Sequence, residues 1–242
     1  MGTPRVYVDA PLVSGSEIAL PPETAAHLTR VLRLRPDDAV VLFNGDGRDY
    51  AGRLLAARRE DKRVLVGSAG EAEPEPPLRL HLAVGVSRGE RMDFVVQKAV
   101  ELGVASIRPL FTERSVVRLD AERLDRRREH WHGVLVAACE QSGRRRLPRL
   151  HPAQALADWL PTVAGTALLL DPQARRSLAD LPAPEGAATL LVGPEGGLSA
   201  DERARAVSAG FVSVQLGPRI LRTETAPLAA LAAMQVLWGD LR

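Results

Sequence analysis

The chain has 242 residues, 45% of them hydrophobic, which is enough for one large domain or two modest ones with real cores. The net charge of +2 excludes a simple polycation, and no apolar run reaches the roughly 18 residues that a membrane span needs. One cysteine, Cys139, excludes an internal disulfide framework, and the N-terminus lacks the pattern of a secretory signal, so we expect a reducing, cytoplasmic location. The five histidines form no credible ligand set, so we expect no metal. The lack of a long apolar run leads us to expect no membrane partner.

The part of the chain before residue 71 predicts a small β-rich barrel with one helix. The sequence NGDG from Asn44 to Gly47 is typical of a hairpin turn, and residues 21–34 predict the helix. An acidic, proline-rich segment from Glu71 to Leu80 predicts a linker. The runs with strand character are 5–8, 39–45, 49–55 and 63–69.

After this segment, strand-like and helix-like patterns alternate, which predicts a mostly parallel α/β sheet. Ser199 and Glu202 have the spacing of a capping box, and Pro227 lies in the first turn of the last predicted helix. The predicted strands are 78–86, 106–111, 166–171, 188–193 and 211–217, and the predicted helices are 91–103, 121–141 and 226–239.

Two of these apolar strands stop at a Gly-Pro pair, Gly193-Pro194 and Gly217-Pro218. We expect both breaks at the carboxyl ends of adjacent parallel strands, where ligands of open α/β sheets bind. The first break, with Glu195 inside a glycine turn, matches neither a P-loop nor a dinucleotide fingerprint. It predicts backbone recognition of a flat, mostly neutral group such as an adenine with its sugar, and two ordinary proline turns are the alternative.

Positive charge is concentrated in one region. Residues 1–73 contain 10 Lys/Arg and 11 Asp/Glu, a net of 10 − 11 = −1, whereas residues 114–149 contain 10 and 5, a net of 10 − 5 = +5. Clustered arginines suit contacts with phosphate groups, so the region predicts a nucleic-acid partner. A solvated helix face is the alternative interpretation.

The stretch LVGPEGGLSADE, followed by LGPRILRTETAPLAAL, resembles the signature of the RsmE family, which are ribosomal RNA uridine-N3 methyltransferases of the SPOUT superfamily. The stretches SRGERMDFVVQKAVELGVASIRPLFTERSV, AACEQSGRRRLPRL and HLTRVLRLRPDDAVVLFNGDGRDY are also similar to family segments, so the resemblance covers nearly the whole chain. Arg88 stands where the family often has lysine, which keeps the charge but changes its geometry.

The resemblance implies a SPOUT α/β trefoil-knot methyltransferase domain over residues 78–242, preceded by a small PUA-like RNA-binding β-barrel over residues 1–72. It implies a homodimer that uses S-adenosylmethionine to methylate N3 of a uridine in the 16S rRNA of the small ribosomal subunit, as a step of ribosome biogenesis. By the same carry-over, the cofactor pocket is lined by Leu170, Val192, Gly193, Pro194, Gly196, Leu216, Gly217, Ile220, Leu221 and Ala226.

Methylation at N3 requires that the proton on this nitrogen be removed and that the charge left on the uracil ring be stabilised. The candidates are Glu195 or Glu224 as the base and Arg222 as the stabilising cation. Each glutamate has a structural alternative, hydrogen bonding to the backbone for Glu195 and a favourable helix dipole for Glu224. Arg222 is alternatively a phosphate clamp.

RNA contacts are expected from both predicted domains, along a phosphate backbone. Gln141 is predicted either to contact a base edge or to cap its helix. The candidate RNA-binding residues are Arg30, Arg33, Arg88, Arg91, Arg114, Gln141, Arg144, Arg145 and Arg146.

Two rival functions and one assembly hypothesis accompany this interpretation. The rivals are a SPOUT enzyme that methylates a ribose in tRNA or 23S rRNA, and an RNA-binding or ribosome-assembly factor without catalysis. For the dimer, the helical spacing of Leu228, Leu231, Met234 and Leu237 predicts an interface along the last helix, and an ordinary core helix is the alternative.

Overall fold

The computed structural model describes residues 3–56, 62–115 and 121–241. The chain divides into two compact units, each with its own β-sheet. The first unit contains Met1–Pro74 together with Cys139–Leu147, and the second contains Glu75–Ala138 and Pro148–Arg242. The division near residue 74 falls inside the predicted linker.

The first unit is built on a five-stranded sheet with the strand order β1-β3-β4-β5-β2. Strand β1 runs parallel to β3, and the other pairs are antiparallel. The predicted NGDG turn joins β3 to β4, and the predicted helix begins as α1 and continues as a π-helical turn over His27–Val31. The strands are β1 Arg5–Tyr7, β2 Glu17–Ala19, β3 Ala39–Phe43, β4 Tyr50–Leu54 and β5 Arg63–Ala69, and α1 is Pro22–Ala26.

The core of this unit follows from the alternation of side chains along its strands. In β4, Tyr50, Gly52 and Leu54 are buried while the residues between them are exposed. A Cβ at Gly52 would lie 2.8 Å from both Val40 Cγ2 and Val64 Cγ1, so the glycine lets the neighbouring strands' side chains meet above it. Strand β2 was not predicted, because a three-residue strand contains too few positions to show this alternation.

The second unit is built on a seven-stranded sheet in which every pair is parallel. The strand order is β12-β10-β11-β6-β7-β8, and β9 also pairs with β7. The strands are β6 Arg79–Gly85, β7 Ser106–Phe111, β8 Arg149–Leu150, β9 Gln154–Ala155, β10 Thr166–Leu170, β11 Ala187–Val192 and β12 Val212–Val214.

Helix α5 begins where the sequence predicts a helix start. Helix α5 starts with the predicted capping box, in which the Glu202 amide donates to Ser199 Oγ at 3.1 Å and the Ser199 amide donates to Glu202 Oε2 at 2.9 Å. Over the described ranges, no helix is both long and apolar enough to cross a membrane. The helices are α2 Glu90–Glu101, α3 Ala121–Ser142, α4 Leu156–Trp159, α5 Ala200–Ser208 and α6 Thr225–Trp238, with 3₁₀ turns at Leu160–Thr162 and Leu178–Asp180.

The expectation that the two Gly-Pro breaks follow adjacent strands is wrong. The breaks follow β11 and β12, and β10 lies between these strands, with Leu168 paired to Leu190 on one side and to Val212 on the other. Position along the chain does not determine position in a parallel sheet, because each crossover can return the chain to either edge of the strands already formed. Three strand ends, rather than two, therefore border the site.

The predicted interface stripe on α6 is also corrected in part. Leu231 and Met234 are fully buried inside the chain, so they belong to its own core. The helix contacts α2 and the strands β6, β10 and β11, which accounts for this burial. Val236 and Leu237 are the large apolar residues of α6 that stay exposed.

Candidate functional site

A cavity of about 600 Å³ lies at the carboxyl ends of β10, β11 and β12. Thr223 Oγ1 donates a hydrogen bond of 3.2 Å to the Gly193 carbonyl, which ties the segment after β12 to the loop after β11. All the residues predicted to hold the cofactor line this cavity, although their role in binding stays a prediction. They are Leu170, Val192, Gly193, Pro194, Gly196, Leu216, Gly217, Ile220, Leu221 and Ala226.

The glycines of the two loops act in different ways. A Cβ at Gly193 would lie 2.9 Å from the Leu198 amide nitrogen, so the first turn closes only because this side chain is absent. Gly217 has φ +75°, and a Cβ there would meet no atom of the chain within 4 Å. The first loop is therefore packed tightly against itself, while the second presents open backbone to the cavity.

Asp171 is a polar residue of the cavity that the sequence reasoning missed. It follows β10 directly, lines the cavity and lies 3.8 Å from Arg203 Nη1 through its Oδ1 atom. A carboxylate is an acceptor for hydroxyl or amine donors of a ligand. The signal was present in the sequence, because an aspartate after a buried parallel strand stands at the ligand-binding edge of the sheet.

Glu195 is held by two residues from the start of α2 and the loop before it. Its Oε1 atom accepts 3.0 Å hydrogen bonds from the Arg88 amide and from Arg91 Nη1. Burial works to raise the pKa of the Glu195 carboxyl, but these hydrogen bonds, a bond from its own amide and the charge of Arg91 outweigh burial and hold that pKa below its ordinary value. Glu195 is therefore an ionised carboxylate whose Oε1 atom already accepts two hydrogen bonds.

The other two candidates for catalysis lie just outside the lining of the cavity. Glu224 stands at the N-cap of α6 without a side-chain capping bond, and its Oε2 atom lies 3.9 Å from Arg91 Nε. Arg222 is exposed, and its carbonyl accepts from the amides of Thr225 and Ala226. Arg91 thus brings Glu195 and Glu224 together, while Arg222 starts the turn into α6.

Three of the predicted RNA-binding arginines surround the loop after β11. Arg88 and Arg91 bind Glu195 as described, and Arg114 Nη1 donates to the Gly196 carbonyl at 3.0 Å. Arg114 also lines the cavity. These three arginines lie along one side of the site. The side chains of Arg91 and Arg114 also hold the loop in place through their hydrogen bonds to Glu195 and Gly196.

In the first unit, the arginine run after α3 is used largely within the chain. The amides of Arg145 and Arg146 both donate to Glu73 Oε2, at 2.8 and 3.0 Å. Arg145 Nε also lies 3.2 Å from Asp49 Oδ2. The backbone of this run therefore anchors the start of the linker. Of the other predicted RNA contacts here, Arg30, Arg33 and Gln141 are exposed.

Within the residues that the structure describes, no three His, Cys, Asp or Glu side chains are placed to hold a metal ion.

Comparison with known proteins agrees with this geometry. A family model described as an RNA methyltransferase domain matches residues 74–235, and one described as an RNA methyltransferase PUA domain matches residues 20–66. A protein of Buchnera aphidicola named ribosomal RNA small subunit methyltransferase E is 31% identical over 98% of both chains. The protein of the same name from Bacillus subtilis is 32% identical over 90% of this chain and 91% of its own.

Solved structures extend the comparison to the fold. A ribosomal RNA small subunit methyltransferase E of Neisseria gonorrhoeae, bound to S-adenosylmethionine, superimposes with a TM-score of 0.91 at 39% identity over 100% of both chains. A Legionella pneumophila protein in complex with the same cofactor superimposes with a TM-score of 0.96 at 36% identity, also over 100% of both chains. With a curled β-sheet unit that matches the PUA model and a parallel α/β unit that matches the methyltransferase model, the chain belongs to the ribosomal RNA small subunit methyltransferase E family.

Proposed function

We propose that the protein transfers a methyl group from S-adenosylmethionine to N3 of a uridine in the 16S rRNA of the small ribosomal subunit, as a step of ribosome biogenesis. The observation that carries the proposal is the cavity at the ends of β10, β11 and β12, which all the predicted cofactor residues line. A relative that is 39% identical holds S-adenosylmethionine. The resemblance to the RsmE family supplies the uridine N3 specificity.

The residues of the cavity fit S-adenosylmethionine. The volume of the cavity, about 600 Å³, lies within the range of about 300–1,000 Å³ found for small-molecule sites. The open backbone at Gly217 can approach a planar adenine closely, and the Asp171 carboxylate can accept hydrogen bonds from ribose hydroxyls or the amino group. When bound, S-adenosylmethionine supplies an electrophilic methyl group on a sulfonium centre.

The protein has to place the uracil, remove the N3 proton and stabilise the charge that spreads to the ring oxygens. Arg222 is the proposed charge stabiliser, because it is an exposed cation at the turn that Thr223 ties to the Gly193 loop. Its guanidinium can donate a hydrogen bond to a ring oxygen on which the negative charge develops.

Of the two glutamates, we assign Glu224 as the base and Glu195 as a positioning residue. A carboxylate with a lowered pKa is a weaker base, and Glu195 already accepts from Arg88 and Arg91. Glu224 has a single long contact with Arg91, at 3.9 Å.

The pH dependence of single-turnover methylation tests this assignment. Glu224→Gln should abolish the acidic limb of the rate profile, whereas Glu195→Gln should lower the rate and weaken cofactor binding without changing the shape of the profile. The reverse pattern would exchange the two roles.

We further propose that RNA is bound by basic residues of both units, with Arg88, Arg91 and Arg114 next to the site and Arg30, Arg33, Gln141 and the run from Arg144 to Arg146 in the first unit. Charge contacts of this kind make affinity fall with salt. In the run from Arg144 to Arg146, Arg145 already pairs with Asp49, and the guanidinium groups of Arg145 and Arg146 donate to the backbone carbonyls of Glu71 and Glu73. These contacts reduce the donors that this run can offer to RNA. Substituting Arg30 with Gln should reduce the salt slope of RNA binding by about one contact, and an unchanged slope would remove Arg30 from the interface.

The product nucleoside tests the reaction itself. Small subunits lacking the modification are incubated with the protein and labelled S-adenosylmethionine, and their nucleosides are analysed by mass spectrometry. We expect label on the base of a uridine, as 3-methyluridine. Label on the ribose would indicate a 2′-O-methyltransferase, and no label in the presence of bound cofactor would indicate a binding or assembly factor.

We propose that the protein is a homodimer with α6 at its interface. Val236, 52% exposed on α6, and Phe94, 46% exposed on the neighbouring helix α2, are large apolar residues at the surface. Such residues are expected where another protein surface covers them. Light scattering should give the mass of two chains at micromolar concentration, and Val236→Glu should shift it towards one. An active wild-type monomer would contradict the proposal.

The domain boundaries, the knot and the location complete the proposal. Residues 1–72 form the PUA-like domain and residues 78–242 the SPOUT domain, so limited proteolysis should cut first between residues 72 and 78. The SPOUT domain contains a trefoil knot, which the backbone trace of an experimental density map checks. The protein acts in the cytoplasm, where fractionation should recover it with small ribosomal subunits.

A further inference from the structure

The second unit contains another polar cleft, of about 200 Å³, towards the amino-terminal ends of its central strands. Thr189 of β11, His81 of β6 and Ser106 of β7 are register partners, so they stand side by side across three strands. Arg108 follows two residues after Ser106 and therefore points to the same face of the sheet. All four residues line the cleft, and the proposed methyl transfer uses none of them.

Arg108 is the residue that requires an explanation. It is partly buried, and it donates from Nη1 to Gln154 Oε1 at 2.6 Å and from Nη2 to His151 Nδ1 at 2.9 Å. Both acceptors are formally neutral, and no carboxylate within the described residues pairs with this guanidinium. A desolvated charge without a counter-charge is costly, so the arrangement lacks a negative partner.

The surroundings of Arg108 are positive throughout. Burial, and then the charge of Arg149, lower the pKa of Arg108. Burial also lowers the pKa of His151, to about 4, with Arg108 and Arg149 acting in the same direction, and it lowers the pKa of His81, where Arg79 adds to the effect. None of these shifts has a carboxylate among its causes.

The hydrogen-bond network leaves donors directed at the cleft. Because Arg108 donates to Nδ1 of His151, the neutral imidazole of His151 carries its proton on Nε2. Ser106 Oγ lies 2.8 Å from His81 Nδ1, and the Thr189 hydroxyl stands on the other side of His81. A guanidinium has five N–H donors, and two of those of Arg108 are used in the bonds to Gln154 and His151.

We propose that this cleft binds a phosphate-type oxyanion, with Arg108 as its charge partner. The Thr189 hydroxyl and the Nε2–H of His151 are further donors, and the hydrogen-bonded pair of Ser106 and His81 supplies one more, from either member. The negative charge of the anion balances the positive charge of the guanidinium. The oxygen atoms of the anion accept hydrogen bonds from the Arg108 N–H groups that do not donate to Gln154 or His151. Free phosphate and the phosphodiester of an RNA strand share this chemistry.

The test follows the imidazole NMR signals of His81 and His151 in the full chain during a titration with inorganic phosphate, with sodium chloride keeping the ionic strength constant. We expect saturable shifts of both histidines in the wild type. Arg108→Gln should weaken phosphate binding at least tenfold. Arg205→Gln, which removes an exposed arginine from α5 of the same unit, is the matched control and should bind as the wild type does.

Thr189→Val keeps the shape and the charge of the cleft, so it tests the site even if Arg108→Gln does not fold. It should weaken phosphate binding severalfold. Equal responses to phosphate and to chloride in the wild type would overturn the proposal, as would unchanged affinity in both Arg108→Gln and Thr189→Val.

A second arm distinguishes the source of the anion. A short single-stranded RNA is added to the phosphate-saturated protein. Displacement of phosphate from the histidine signals would identify a phosphodiester as the occupant, and undisturbed phosphate signals with RNA bound elsewhere would identify free phosphate. Neither arm measures methylation, so failure of the anion site is distinguishable from failure of the proposed reaction.

Discussion

The prediction that tests the cofactor site most directly is Gly217→Val. Gly217 lines the cavity with φ +75°, and a Cβ there meets no atom of the chain within 4 Å, so the new side chain enters open space next to the proposed ligand. A residue other than glycine in this left-handed conformation costs about 1–2 kcal/mol. For a chain of this length, that strain lowers Tm by about 2–8 °C.

The strain has to be separated from the loss of room for the ligand. Gly165 has φ +78°, lies in equally open space and is absent from the lining of the cavity. Gly165→Val therefore introduces comparable backbone strain and the same side chain in the same unit. It should lower Tm by a similar amount and leave S-adenosylmethionine affinity unchanged.

The expected loss of affinity in Gly217→Val follows from overpacking. Inserting methyl groups where other atoms pack costs about 1–3 kcal/mol, which corresponds to binding about 5-fold to 150-fold weaker. Isothermal titration calorimetry with S-adenosylmethionine measures it on both variants. If the two valine variants bind the cofactor equally well while folded, the assignment of Gly217 to the cofactor pocket is wrong.

Three further predictions concern Arg222, the proposed charge stabiliser, the packing of the first loop and the second cleft. Arg222→Ala should lower the rate of single-turnover methylation at saturating RNA by a factor of about 10²–10³. Arg222→Lys should recover little of this rate, because it loses the planar guanidinium. An Arg222→Ala variant that keeps the wild-type rate but binds RNA more weakly would make Arg222 a phosphate clamp. Gly85→Ala would place a Cβ 2.5 Å from the backbone nitrogen of Pro194, so it should cost at least about 1–3 kcal/mol in chemical denaturation and impair cofactor binding, and wild-type stability would refute this packing. The lowered pKa of His151, about 4 against 6.5, means that the unfolded chain takes up the proton first as the pH falls. The stability that neutral His151 contributes above pH 6.5 should therefore be lost as the pH falls from 6.5 to about 4. In phosphate-free buffer, lowering the pH from 7 to 5 should reduce the Tm of His151→Gln less than the Tm of the wild type. Equal reductions in Tm would exclude this effect.

Arg91, a proposed RNA contact, also contacts both glutamates of the proposed site. One guanidinium contacts Glu195 at 3.0 Å and Glu224 at 3.9 Å. A phosphate that competes for Arg91 would remove the Arg91 contact from both carboxylates at once, while Glu195 would keep its hydrogen bond from the Arg88 amide. For Glu195, whose pKa the charge of Arg91 helps to lower, this loss would make the carboxylate more basic.

Local features of the molecule were determined by the sequence itself. The strands Arg63–Ala69 and Ser106–Phe111 have the predicted bounds, and the capping box of Ser199 and Glu202 forms as expected. These features depend on residues only a few positions apart, where side-chain alternation, turn chemistry and capping act without the rest of the fold. The ten predicted cofactor residues all line the cavity, and the resemblance placed nine of them, all but Leu170, on two short motifs.

Only the tertiary structure decided how distant segments meet. It placed β10 between β11 and β12, which added Asp171 to the cavity, and it brought Arg91 to Glu195 from more than 100 residues away. It also aligned Thr189 with His81 across neighbouring strands. The physical reason is that strand order and sheet register depend on the packing of whole elements, and a local pattern contains no record of which crossover brings two strands together.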